Sequence, residues 1–218
     1  VEKASHLMVQ QFGPAAAGVL ARRLTDLGVQ VKVGRFITDI AKIDGRLMLR
    51  LDDGEQIHSD LALTTVGAAR NITLFAKAGL TIGRGVLVDE YQQTSEPGVF
   101  ACGDVAERPN VRTGSILLAA EQGKGAAANA LAALAGRPME PISDHKVPLS
   151  FKHPHIEFYA VGALAAAGLN EKRLPDGEEL IYRSVVLEGE ILRGVQMIGS
   201  REGFRQLTDS LDRPYRAS

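Results

Sequence analysis

Cysteine is almost absent. Cys102 is the only one in 218 residues, which excludes an internal disulfide, a cysteine-built metal cluster and a Cys-x-x-Cys dithiol within the chain. Such usage fits a reducing, cytoplasmic setting. An excess of either charge is also missing. The 25 basic and 26 acidic side chains leave a net charge of -1, so nothing electrostatic favours nucleic acid or a membrane surface as a partner. No apolar run approaches the ~20 residues that a spanning helix needs. The richest segment, residues 117–134, contains Glu121, Gln122, Lys124 and Asn129. The chain opens Val1-Glu2-Lys3, with no Met and no charged-then-apolar leader. A glycine-rich dinucleotide loop is lacking as well. The nearest candidates, Gly83-Arg-Gly85 and Gly123-Lys-Gly125, have no third glycine at the required offset.

What is present is an ordinary globular composition, 45% hydrophobic and 23% charged, long enough for one large or two small domains. The most informative stretch is Thr94-Ser-Glu-Pro-Gly-Val-Phe-Ala-Cys-Gly-Asp104. A Pro/Gly turn leads into the apolar run Val99–Cys102, and that run suits a buried parallel strand. Gly103 would end the strand and Asp104 would project from its C-terminal edge, where open α/β sheets bind ligands. Glycine permits close backbone approach, and an ionised aspartate accepts hydrogen bonds from hydroxyls. The same residues also read as a strand closing in an ordinary Gly-Asp turn.

Upstream, residues 14–27 read as a helix with Pro14 in its first turn and Gly28 beyond its end. Residues 29–33 alternate like a strand. Three more strands, 36–43, 47–51 and 55–58, are punctuated by Asp44-Gly45 and Asp52-Asp53-Gly54, which predicts an antiparallel meander. Residues 60–67 read as a second buried strand ending in Gly67. A short helix over 71–78 and a strand over 85–89 then lead to the motif. After it, a loop with Pro109, Asn110 and Gly114 opens a helix over 115–135 that Gly136-Arg-Pro138 closes. Residues 141–148, with prolines at both ends, read as a linker. Residues 158–162 and 182–199 predict a small antiparallel sheet with a turn at Glu188-Gly-Glu190, and residues 201–211 a terminal helix. His153 and His155 have no third ligand at metal spacing. Cys102, inside a strand, reads as a small hydrophobe rather than a redox thiol.

The motif from Thr94 to Gly103-Asp104 resembles the second flavin-binding motif of the two-dinucleotide-binding flavoproteins, the pyridine-nucleotide-dependent reductases of rubredoxin reductase, ferredoxin reductase and nitrite reductase large-subunit type. The resemblance implies an α/β FAD/NAD(P)-binding fold with a small α+β interface domain. Residues 1–68 would end the nicotinamide-nucleotide domain, 69–140 would be the returning segment of the FAD domain, and 141–218 the interface domain, which covers the flavin face and supports a homodimer. Gly67 and Asn71 match the family's Gly-x-x-Pro-Asn segment, with Arg70 in place of the proline. By the same resemblance Asp104 holds the ribityl–pyrophosphate region of FAD. The helix bearing Ala119 and Gln122 points its N-terminus at the flavin, and Glu2 holds the adenine ribose of NADH. The implied activity is FAD-dependent NAD(P)H oxidation, with electrons passed to rubredoxin, ferredoxin, a nitrite-reducing module or a small-molecule acceptor. An NADH oxidase, peroxidase or coenzyme A-disulfide reductase would use a cysteine upstream of Val1. A nucleotide-binding scaffold without activity remains as a third reading, because both glycine loops are missing. The chain is expected to be the C-terminal part of a longer protein and to need the N-terminal remainder as its partner.

Overall fold

Helix α1 (Pro14–Asp26) begins where Pro14 fits the first helical turn, whose amide needs no partner. It buries Ala16, Ala17, Val19 and Leu20 and ends in a turn closed by the Gly28 amide on the Thr25 carbonyl at 2.8 Å. The structure is a computed structural model that describes residues 1–67, 69–109, 114–143, 146–164, 168–175 and 177–216. They fall into two units, one of residues 1–67, 150–160 and 167–218, the other of residues 68–149 and 161–166.

In the first unit, strands β1 (Ile37–Ile43), β2 (Arg46–Leu51) and β3 (Gln56–Ser59) form the expected antiparallel meander, in that order. Ile43 pairs with Arg46 across Asp44 (φ 50°) and Gly45 (φ 84°). Positive φ at both central residues matches the right-handed twist of the flanking strands, which is why Asp-Gly suits this loop. The middle strand buries Met48, Leu49 and Leu51.

The C-terminal sheet has five strands: β6 (Leu149–His153), β7 (Ile156–Gly162), β8 (Asn170–Arg173), β9 (Tyr182–Glu188) and β10 (Ile191–Ile198). Their spatial order is β6-β7-β10-β9-β8. The hairpin β9–β10 forms around Glu188-Gly-Glu190 as its sequence predicts. The edge strands β6 and β8 were not predicted: β8 is polar and exposed throughout, and β6, although Leu149 and Phe151 alternate with polar residues, is exposed along most of its length. Helix α4 (Phe204–Asp209) follows, with Phe204 against Tyr159 at a ring separation of 5.2 Å.

Helix α1 lies on β9 and β10. The Phe12 and Phe158 rings meet edge to face at 5.5 Å. The Gly13 amide donates to Gln196 Oε1 at 3.0 Å. Gln196, Tyr182 and Ser184 all converge on Glu171 Oε1, at 3.3, 2.7 and 2.6 Å. A carboxylate oxygen satisfies three donors that would otherwise be orphaned under the helix start.

Two strands predicted in the first unit are absent. Residues 29–33 form no ladder, only a single parallel bridge between Val33 and Glu2. Residues 60–67 form no strand either, and Leu61, Leu63 and Val66 are 81, 85 and 89% exposed. An apolar run becomes a buried strand only when neighbours supply a ladder and two covering faces. Among the described residues none does so here.

The second unit holds α2 (Thr73–Lys77), the two-residue strands β4 (Val86–Leu87) and β5 (Ala106–Glu107), and α3 (Ile116–Leu134). β4 and β5 run parallel over a core of Val86, Val88, Ala101 and Ala106, flanked by Phe75 and Leu80. The predicted strand over 85–89 shrinks to those two residues. Helix α3 buries Leu118, Gln122, Ala126 and Asn129 and exposes Ile116, Leu117, Leu131 and Leu134. Asn129 is fully engaged: its Nδ2 donates to the carbonyls of Tyr91 (3.0 Å) and Glu140 (2.9 Å), and its Oδ1 accepts from the Glu140 amide. The Ile142 amide bonds the Glu90 carbonyl at 2.8 Å. The start of the predicted linker is therefore strapped along α3. Residues 144 and 145 of it, and Asn110 of the loop after the motif, lie outside the described residues.

Gln92 is the strained position of this unit. It is fully buried, sits at φ 64°, and its amide group makes no hydrogen bond among the described residues. A buried, unpaired amide costs about 1–3 kcal/mol. Gln92→Met keeps the volume and removes both polar atoms, so the thermal midpoint is expected to rise by a few degrees. A lower midpoint would show that the amide has a partner.

Candidate functional site

The motif is built on a turn. Asp89 Oδ1 accepts the amides of Tyr91 and Gln93, each at 2.9 Å. The Thr94 amide donates to the Val99 carbonyl at 2.9 Å, and the Thr94 hydroxyl accepts the Glu96 amide at 3.2 Å. Thr94 thus closes the Pro/Gly turn locally, as serine and threonine hydroxyls do. Val99–Cys102 is extended but is not the buried parallel strand its composition predicts. It makes one antiparallel bridge, Phe100 to Gln93, and the Ala101 amide bonds the Gln92 carbonyl at 3.1 Å. Only Ala101 of this run is buried. The turn folds residues 92–94 back along one edge, and the other edge has no ladder among the described residues. Cys102 is half-buried just before the turn that follows.

Gly103 adopts φ 71° and opens a single 3₁₀ turn, Gly103–Val105. That left-handed conformation is the reason for glycine here. The Gly103 amide donates to Gln122 Oε1 at 2.9 Å, and a Cβ on Gly103 would lie 3.5 Å from that of Ala119. Gly103, Ala119 and Gln122 are thereby brought together where α3 packs on the turn. Asp104 is exposed in the first residues of this turn, and among the described residues its carboxylate has no hydrogen bond or ion pair. Ser115 caps α3 by accepting the Leu118 amide at 3.4 Å.

Glu2 and Gly67 belong to the first unit. Glu2 ends a short extended segment held by its amide on the Lys32 carbonyl at 2.7 Å. Its Oε1 accepts the Ala4 amide at 2.7 Å, so one carboxylate oxygen already has a partner. Gly67 has φ 84°, is exposed, and a Cβ there would meet open space.

Arg70 and Glu107 were missed. Arg70 Nη1 donates to the Ala106 carbonyl at 3.3 Å and lies 3.8 Å from Glu107 Oε2. Glu107 Oε2 accepts the Gly85 amide at 2.7 Å. That bond, against the opposing effect of burial and with help from the Arg84 amide and the Arg84 and Arg70 charges, holds the Glu107 carboxyl below the usual range. What the fold gains from ionised Glu107 is present above the unfolded carboxylate pKa and lost as pH falls through the lower folded value. The available signal was an arginine where the resemblance expects proline.

His153 and His155 flank the β6–β7 turn, exposed, with rings 5.6 Å apart. Among the described residues no group of three or more His, Cys, Asp or Glu side chains could hold a metal. No described helix is long and apolar enough to cross a membrane.

These residues fit part of a dinucleotide. A free carboxylate beside a left-handed glycine suits hydroxyls of a polyol, whereas a pyrophosphate cradle needs a glycine turn that this sequence does not contain. Comparison with known proteins agrees with the α/β reading. Residues 1–124 match the family model of pyridine nucleotide-disulphide oxidoreductases, and the chain belongs to that family. It is 28% identical over 209 residues to the nitrite reductase [NAD(P)H] of Bacillus subtilis, covering 94% of this chain and 25% of that protein. It is 27% identical over 191 residues to the nitric oxide reductase FlRd-NAD(+) reductase of Citrobacter koseri, covering 88% of this chain and 49% of that one. The ferredoxin reductase of Rhodopseudomonas palustris superposes with a TM-score of 0.77 at 22% identity, over 98% of this chain and 54% of that structure. The chain thus spans a quarter to a half of these curated relatives' lengths.

Proposed function

We propose that this chain supplies the flavin-hydroxyl site and the coenzyme-selecting acid of an FAD-dependent NAD(P)H oxidoreductase. The observation that carries the reading is Asp104, an exposed carboxylate without a partner among the described residues, set beside a left-handed glycine and the packed start of α3. Asp104 accepts hydrogen bonds from flavin hydroxyls. Gln122 Oε1 accepts the Gly103 amide, so Gln122 holds the turn beside the cofactor. Ala119 keeps the helix close to the turn. The free amides at the start of α3 favour negative charge in front of them. FAD held at this turn would supply the redox chemistry, hydride acceptance from a nicotinamide and onward electron transfer. In this reading residues 1–68, 69–140 and 141–218 are the nucleotide, flavin and interface segments, and Gly67 lies at the first boundary. The names of the relatives support an electron-transfer role, with a nitrite-reducing module or a rubredoxin- or ferredoxin-like protein as acceptor. The test is the absorption, between roughly 350 and 500 nm, of the purified full-length protein that carries this chain, before and after NADH. A colourless protein that FAD does not reconstitute would end this reading.

Glu2 carries the coenzyme choice. An acid at that strand end accepts ribose hydroxyls and repels a 2′-phosphate. The wild type is expected to be reduced faster by NADH than by NADPH at equal low concentration. Glu2→Gln is expected to narrow that preference by roughly tenfold, the equivalent of 1.4 kcal/mol. An unchanged ratio in stopped-flow reduction would remove Glu2 from the coenzyme site.

A further inference from the structure

We infer that Arg70 is a positioning residue, which with Glu107 clamps the parallel pair β4–β5 and so fixes the turn that carries Asp104. The inference rests on the flavin reading of Asp104. The turn Gly103–Val105 runs straight into β5 (Ala106–Glu107), so the direction of Asp104 depends on how β5 is held. The ladder holding it is only two residues long on each side, too short to be stable without further support.

Arg70 supplies that support from outside the ladder. Its guanidinium reaches the Ala106 carbonyl and the Glu107 carboxylate together, and the two side chains are only 16 and 17% exposed. Both contacts are made by Nη1, on a delocalised guanidinium that is always charged and more weakly hydrated than an ammonium, and so better suited to this half-buried position. Glu107 then carries the link onward to β4. Its Oε2 accepts the Gly85 amide at 2.7 Å, and its backbone carbonyl accepts the Val88 amide at 3.0 Å. The surrounding glycines are cut to this arrangement. At Gly85 the Arg70 guanidinium and the Val105 carbonyl, the latter at 2.6 Å, fill the space a Cβ would need. At Gly83 a Cβ would lie 2.7 Å from Glu107 Oε2. Gly83-Arg-Gly85, which first reads as a failed phosphate loop, therefore makes room for an ion pair. Where the resemblance expects a proline, Arg70 is joined to β5 by its side chain.

The test uses the FAD-loaded protein and three variants: Arg70→Met, which keeps the stem and removes the fork, Arg70→Lys, and Glu107→Gln. Arg70→Met is expected to release FAD about tenfold faster, the effect of one lost charge-assisted bond. Amide exchange over residues 103–107 is expected to quicken by a similar factor, while α1 and the β9–β10 hairpin keep their wild-type protection. Arg70→Lys is expected to fall between the two. Wild-type FAD release with wild-type exchange at 103–107 would overturn the inference. So would an equal loss of protection across the whole chain, the mark of a merely structural residue. If Arg70→Met does not fold, Glu107→Gln decides by the same readings, since it keeps the Gly85 bond and loses the ion pair with Arg70 along with the exposed one with Arg84. If the wild type holds no FAD, the flavin reading fails and exchange over 103–107 alone decides the clamp.

Discussion

Asp104→Ala is expected to weaken FAD binding by about 10–100-fold, with little change in thermal midpoint. The magnitude is that of one hydrogen bond to a charged group, roughly 1.5–3 kcal/mol. The separation of the two effects follows from the structure. Asp104 is exposed and its carboxylate makes no hydrogen bond or ion pair among the described residues, so its removal orphans no buried partner and opens no cavity. The backbone that makes the turn stays in place, because Gly103 keeps its bond to Gln122. Asp104→Asn is expected to retain part of the affinity, since its carbonyl still accepts a hydrogen bond without the charge. FAD release on dilution, followed by flavin fluorescence, gives the ratio. Unchanged retention in the alanine variant would remove Asp104 from the cofactor site.

What the sequence made legible was local. Asp44-Gly45 prescribes its own hairpin through two positive φ values. The hairpin β9–β10 and the bounds of α3 likewise follow from turn and cap residues next to one another in sequence. The misreadings share one physical cause. Residues 29–33, 60–67 and 99–102 have the apolar character of strands, but a strand is a property of its neighbours. Residues 92–94 fold against one side of 99–102, and Leu61, Leu63 and Val66 stand in the open. The candidate site divides the same way. Gly103 could be read because glycine beside a turn signals a backbone demand, met here by its φ of 71°. The bond from Gly103 to Gln122, and the Arg70–Glu107 clamp, join residues 19 and 37 apart, and nothing local announces such pairs.

The second large effect lies far from Asp104 in sequence, where α1 meets the C-terminal sheet. Arg23 donates through Nε to the Leu180 carbonyl at 2.6 Å, and its guanidinium fills the space beside Gly199 that a Cβ would need. Gly199 also sits at φ 76°, which costs a side-chain-bearing residue roughly 1–2 kcal/mol. Alanine there would meet the Arg23 Cζ at 2.6 Å and the Leu180 carbonyl oxygen at 2.8 Å. Arg23 must leave, and its carbonyl partner loses a charge-assisted bond. Backbone strain and the lost bond together make Gly199→Ala cost about 3 kcal/mol. For a chain of this size that lowers the thermal midpoint by roughly 6–12 °C. A double-mutant cycle separates the two contributions. In an Arg23→Ala background the guanidinium is already gone, so Gly199→Ala should cost only the strain and the Leu180 contact, distinctly less than in the wild type. The exposed ion pair next door, Arg22 with Glu179 at 2.9 Å, serves as the control, because surface pairs contribute little and Arg22→Ala should leave the cycle unchanged. Equal costs of Gly199→Ala in both backgrounds would mean that Arg23 does not occupy the space beside Gly199.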